Sequence, residues 1–250
     1  MRVGDVIDRS FELLRREWRA ALLLGLVMVV GSIFLVVSIL IGLGAAFGGF
    51  DALDPNFEPD MDGAAALAMV LFFMVVSFLF AVVVYVSTGV AARAAAYGPE
   101  EGTGWSGLGA HSWPALRGAG RLFGWGILFA IAISILFALA LVPMLLGGED
   151  GGAITGLLFL GGIFVFMLGA IALAPFFMVL TAAVFVDDAS VPASAKKAWR
   201  LVGLSYWPSL GATVILWLFS LVPLVGSILV AVLTPTYQVA LLQELEDLDA

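Results

Sequence analysis

The feature that most constrains this chain is the length of its uninterrupted apolar runs. From Ala64 to Ala92 there is no charged residue, and five other stretches are nearly as bare. A helix needs about 20 apolar residues to cross the ~30 Å hydrocarbon core of a bilayer. A membrane β-barrel would instead alternate polarity over segments of about ten residues, and these runs do not alternate. Composition agrees: 62% of residues are hydrophobic and 12% charged, and mean hydropathy is +1.13. Soluble domains sit near one half apolar and one quarter charged. The expected fold class is all-α, a polytopic membrane protein.

Six spans are expected, at about 20–46, 64–92, 122–146, 154–185, 208–222 and 225–243, the last two meeting in a tight hairpin around Leu221–Leu224. A single reentrant or strongly tilted segment over 208–243 is the competing arrangement. Charge sets the orientation, because Lys and Arg gather on the cytoplasmic side while acids count for little. Arg2, Arg9, Arg15, Arg16 and Arg19 precede the first span. Arg93, Arg117 and Arg121 fall between the second and third, and Lys196, Lys197 and Arg200 between the fourth and fifth. With six spans all 11 basic residues share one side. The opposite loops hold Asp51, Asp54, Glu58, Asp60, Asp62, Glu149 and Asp150. A multi-pass protein of the inner membrane, with both termini cytoplasmic, is therefore expected. The first apolar run is too long for the core of a cleaved signal peptide, which is roughly 7–15 residues.

The segments before the first, third and fifth spans look alike. They are Ser10–Arg15 with Trp18 and Arg19, Ser112–Arg117 with Arg121, and Ala198–Val202 with Tyr206 and Trp207. Val3, Ile7, Phe11, Leu14 and Trp18 form an apolar stripe at helical spacing, and Val191, Ala195, Trp199 and Val202 form another. Basic, aromatic amphipathic helices of this kind lie in the headgroup plane. The expected plan is one membrane domain over 1–250, built as three repeats (about 1–97, 98–187 and 188–250). Each repeat is an interfacial helix followed by a transmembrane hairpin. Pro114, Gly118 and Gly120 are expected to shorten the middle interfacial helix.

Two stretches also carry a resemblance. Gly4-Asp5-Val6-Ile7-Asp8-Arg9-Ser10-Phe11-Glu12-Leu13-Leu14-Arg15-Arg16 is one; the other is Phe185-Val186-Asp187-Asp188 leading to Ala195-Lys196-Lys197-Ala198-Trp199-Arg200-Leu201-Val202. Together they resemble the six-helix membrane domain of the glycerophosphoryl diester phosphodiesterase membrane-domain and YciC-like family of integral membrane proteins. Ala198 stands where that family often has serine. No soluble segment is long enough for the phosphodiesterase barrel, so the resemblance implies a membrane domain and carries no catalytic residue across.

Several functions are disfavoured by what the chain lacks. There is no cysteine and a single histidine, His111, so neither thiolate chemistry nor a transition-metal site is expected. No cofactor and no nucleic-acid partner are expected either. The drawn spans hold no acid, lysine or histidine near mid-membrane, where a proton relay or voltage sensor would place them. Arg93 is expected to snorkel from the end of the second span. Asp60-Met61-Asp62-Gly63 offers too few oxygens for a calcium loop. Gly44 and Gly48, Gly120 and Gly124, and Gly152 and Gly156 are spaced for close helix approach. Two groups remain as candidate sites. Arg15, Arg16, Arg19, Arg117, Arg121, Lys196, Lys197 and Arg200 could contact anionic lipid headgroups. Offsets of 90 and 60 residues align Tyr85, Pro175 and Pro235, and place Tyr85, Ser87, Thr88, Thr181, Thr234, Thr236, Tyr237 and Gln238 at like depth. These could line a polar pocket, or the hydroxyls could bond back to their own helices. The function expected is a non-enzymatic scaffold or accessory protein of the bacterial envelope, acting through membrane lipids or a membrane protein partner. The alternative is a transporter or flippase-like carrier of a lipid or small amphiphile.

Overall fold

The structure, a computed structural model, describes residues 1–46, 63–98, 105–146, 148–219 and 225–250. Among these every regular element is an α-helix: α1 Val3–Arg16, α2 Trp18–Ala46, α3 Gly63–Tyr97, α4 Trp105–Leu146, α5 Gly148–Val186, α6 Val191–Leu204, α7 Tyr206–Phe219 and α8 Val225–Asp249. The acidic segment Asp51–Asp62, the glycine at 48 and the Leu221–Leu224 hairpin lie outside the described residues, as do the side chains of residues 132–146 and 148–160.

Helix lengths explain where packing concentrates. α3 has 35 residues, about 52 Å at 1.5 Å per residue, well beyond the ~30 Å apolar slab. Its outer part leaves Leu71, Met74, Val75, Phe78 and Leu79 exposed, while Val90–Ala95 are buried. α5 repeats the pattern, with Phe164, Val165, Met167 and Leu168 exposed and Ala182–Phe185 buried. One end of the bundle is thus packed tightly, by α1, α6, the end of α8 and the inner ends of α3 and α5. This is the end that carries the basic residues.

Small residues let those inner ends approach. The Phe185 ring is fully buried between Gly89 of α3 and Gly118 of α4. A Cβ at Gly89 would lie 2.6 Å from that ring, and one at Gly118 would lie 2.8 Å from it. Gly120 and Gly124, by contrast, face open space. The close approach rests on glycines outside the paired spacings.

Three helices are long and apolar enough to cross a membrane among the described residues: Trp18–Ser38, Leu71–Tyr97 and Met167–Val186. Counting the bent pair α6–α7 as one span makes four, so the six expected spans are not reached. At 208–222 the described residues end at Phe219, and α7 meets α6 at an angle of 102° across Ser205. The expected span at 122–146 falls on α4, which is helical throughout but whose outer side chains are outside the described set.

Two of the three amphipathic segments are separate helices. α1 is divided from α2 at Glu17, and α6 from α7 at Ser205. The middle one is not separate, because α4 runs through Pro114, Gly118 and Gly120 without a break. Leu108, His111, Ala115, Gly118 and Ala119 are buried at helical spacing along it. Packing of that face overrides the weak helix propensity of its residues. On α1, Val6, Ser10 and Leu13 face the protein, while Phe11 and Trp18 of the apolar stripe are exposed and turn away from it.

Candidate functional site

The basic end is built from helix termini, and a helix C-terminus presents unpaired carbonyls with a partial negative charge. Arginines meet these carbonyls. Arg93, only 8% exposed, donates to the Phe185 carbonyl at 2.8 Å and the Val186 carbonyl at 3.3 Å. Its guanidinium also lies over the Tyr97 ring at 5.0 Å, and the Tyr97 hydroxyl donates to the Val186 carbonyl at 2.5 Å. Arg93 therefore does not snorkel; it caps α5 from inside the bundle. Arg16 donates to the Ala95 carbonyl near the end of α3, where Gly98 turns the chain with φ +40°. That left-handed turn suits glycine, the usual residue past a helix C-terminus.

Arg121 grips the α5–α6 turn. It donates to the Asp188 carbonyl at 2.7 Å, the Asp188 carboxylate at 2.7 Å and the Ala189 carbonyl at 3.1 Å. Asp188 sits at φ 51°, so this grip holds a backbone shape that costs a non-glycine residue energy. Arg117 reaches the same carboxylate at 3.5 Å. Lys197 bridges Asp187, at 2.7 Å, and Glu246. Arg200 pairs with Asp249 at 2.6 Å, and Arg9 donates to Gln243 at 3.3 Å. The acidic end of α8 thus draws the cations of α6 inward.

The eight basic candidates consequently divide. Arg16, Arg121, Lys197 and Arg200 are engaged within the protein, and Arg117 partly so. Arg15 and Lys196 are exposed and make no ion pair among the described residues. Arg19 lies over the Trp18 ring at 5.6 Å, as Arg117 lies over Trp113 at 5.9 Å. Trp113, Trp199 and Trp207 are 65%, 68% and 76% exposed. With Trp18 at 53%, each amphipathic segment presents an exposed tryptophan near a basic residue, in line with the basic and aromatic pattern of the sequence.

The polar-pocket residues go to separate places. Tyr85 is 42% exposed and packs on Phe123 at 4.9 Å, whereas Tyr237 is 3% exposed and shares a 2.9 Å hydrogen bond with Thr213. Thr88, Thr181, Thr234 and Thr236 donate to the carbonyls of Val84, Phe177, Val230 and Leu233, each on its own helix. Gln238 is buried and contacts the Met178 sulfur at 3.5 Å, and Ser87 is half-buried. The small cavity of about 30 Å³ that Tyr237 lines is walled by Ile7, Ser10, Phe11 and residues of α7 and α8, and not by Tyr85. Hydroxyls bonded to their own helices need no shared cavity, and neither this cavity nor either of the two larger clefts is lined by both Tyr85 and Tyr237.

Two larger clefts occur elsewhere. One, of about 490 Å³, lies between α2 and α3 and is lined by apolar residues such as Leu26, Val30, Phe34, Leu79 and Val83. The other, of about 370 Å³, lies in the elbow of α5, α6 and α7, lined by Leu173, Phe176, Trp199, Val202, Gly203 and Tyr206. Comparison with family models, curated proteins and solved structures gives no match.

Proposed function

We propose that the chain is a non-enzymatic integral membrane protein of the bacterial envelope, serving as a scaffold or accessory through lipids or a partner membrane protein. One observation carries this reading. Apolar mid-helix surfaces on α2, α3 and α5 are exposed, and they adjoin a tightly packed basic end bearing exposed tryptophans. Apolar faces of that extent are costly in water, and tryptophan favours the bilayer interface. In this reading α4 also spans, and the short α7 spans with the segment that follows it. That gives six spans in three repeats with both termini at the basic, cytoplasmic side. The likeness of the Gly4–Arg16 and Phe185–Val202 stretches to the phosphodiesterase membrane-domain family supports the same plan.

A carrier would gather polar groups at mid-depth. The self-bonded threonines favour the scaffold over it. Reconstitution separates the two readings: vesicles holding the purified chain should move a fluorescent phospholipid between leaflets no faster than empty vesicles. Protein-dependent scrambling would replace the scaffold with a carrier.

A further inference from the structure

The elbow between α6 and α7 makes a wedge that no side chain among the described residues fills. α6 ends at Leu204, Ser205 breaks the helix, and α7 leaves at 102°. The third wall is α5 at its internal proline, Pro175. Proline has no N–H to give the carbonyl four residues earlier, so the helix loosens at this turn. The Tyr206 hydroxyl donates to the Ala172 carbonyl at 3.0 Å, which fixes the elbow against α5. Trp199 stands against Phe176, ring centroids 5.8 Å apart, and forms one lip. Gly203 forms part of the floor, and a Cβ built on it would meet nothing within 4 Å. The resulting cleft, about 370 Å³, falls within the ~300–1,000 Å³ of small-molecule sites.

The lining is uncharged, but a cation lies one helical turn from its lip. Lys196 precedes Trp199 by three residues, so both lie on one face of α6. Lys196 is exposed and unpaired among the described residues, although its neighbour Lys197 is held by Asp187 and Glu246. An unneutralised cation beside an exposed tryptophan, above an apolar slot at the joint of an interfacial helix and a membrane helix, has one complementary occupant. We infer that this elbow is a binding site for an anionic phospholipid, whose acyl chain enters the cleft beneath Trp199 while its phosphate meets Lys196. The inference rests on the membrane reading above and names the lipid class through which the scaffold acts.

Native mass spectrometry of the detergent-purified full chain, titrated with phosphatidylglycerol or phosphatidylcholine, tests it. The wild type should retain phosphatidylglycerol preferentially. Lys196→Gln should reduce that preference about fivefold, the worth of one cation at an anionic surface, and leave phosphatidylcholine binding alone. Gly203→Leu fills the cleft from a position with open space, and should cut the tightest binding of both lipids at least tenfold. Should Gly203→Leu not purify folded, a phosphatidylglycerol with a photoreactive acyl chain gives the same answer on the wild type, by labelling the α6–α7 elbow above other helices. Equal retention of both lipids by the wild type and Lys196→Gln, or photolabel spread evenly over the helices, overturns the site. Alkaline extraction of membranes keeps the two failures apart. If the chain remains in the extracted membrane while lipid preference is absent, the site is wrong and the membrane reading stands; release into the supernatant removes both.

Discussion

At the scale of single residues, the basic end depends on contacts that spacing does not announce. Arg93 looks in sequence like any cation closing an apolar run, yet it lies inside the bundle on the carbonyls of Phe185 and Val186. Those carbonyls belong to a helix 92 residues away, so nothing local marks the pairing. Gly89 and Gly118 were equally silent, because their role appears only with the Phe185 ring between them. Gly89→Ala should destabilise the fold by about 1–3 kcal/mol, the usual cost of overpacking. Adding Phe185→Leu should recover part of that loss; denaturation of the two single variants and the double variant measures it, and additive losses would mean the ring is not what the glycine accommodates. Lys197 gives a pH signature. Burial works against its charge, but the carboxylates of Asp187 and Glu246 outweigh that and raise its pKa above the ordinary 10.5. A raised lysine pKa adds stability that is complete below 10.5 and is lost as pH climbs through the raised value. Lys197→Met should therefore lower stability by a constant amount, up to about 1 kcal/mol, from pH 6 to 9. Thermal melts of both proteins should converge only in strongly alkaline buffer.

At the scale of elements, the outcome followed the kind of side chain that made each stripe. α1 and α6 were legible because large apolar residues and cations alternate at helical spacing, and both helices end near the places expected. The protein-facing side of α1 was not, since it includes Ser10, whose hydroxyl is satisfied by the Val6 carbonyl at 2.6 Å and so can be buried. In α4 the buried face has one large apolar residue, Leu108, and is otherwise Ala, Gly and His, which a search for large apolar side chains passes over. Pro114 then suggested a break that packing against α3 and α5 prevents. The proline inside α5 does not break that helix either, and one turn before it the Ala172 carbonyl accepts from the Tyr206 hydroxyl. Tyr206→Phe should cost about 1 kcal/mol, the net worth of one hydrogen bond. Thermal denaturation of the single variant reads it, and an unchanged melting temperature would mean that the hydroxyl does not hold the elbow to α5.

At the scale of the whole molecule, the open matter is how many times the chain crosses, and a packing detail decides how to ask. The chain has no cysteine, so single cysteines report cleanly on sidedness. The reporter must be exposed: Ser10 and Ser194 are buried, whereas Glu12 and Ala193 nearby are exposed and lie at the same basic end. In the six-span arrangement Glu12→Cys and Ala193→Cys stay protected from an impermeant maleimide in intact cells, while Asn56→Cys and Gly151→Cys react. If α4 did not cross, Gly151 would remain on the side of Glu12, and α5 would carry Ala193 to the outside. The two positions therefore exchange their labelling between the two arrangements, and each serves as the other's control. The positive-inside rule favours the six-span outcome, because the four-span alternative moves Lys196, Lys197 and Arg200 across the membrane. It would also separate Arg121 from Asp188 across the membrane. Labelling of Ala193→Cys from outside, with Gly151→Cys protected, would establish the smaller span count and end the three-repeat plan.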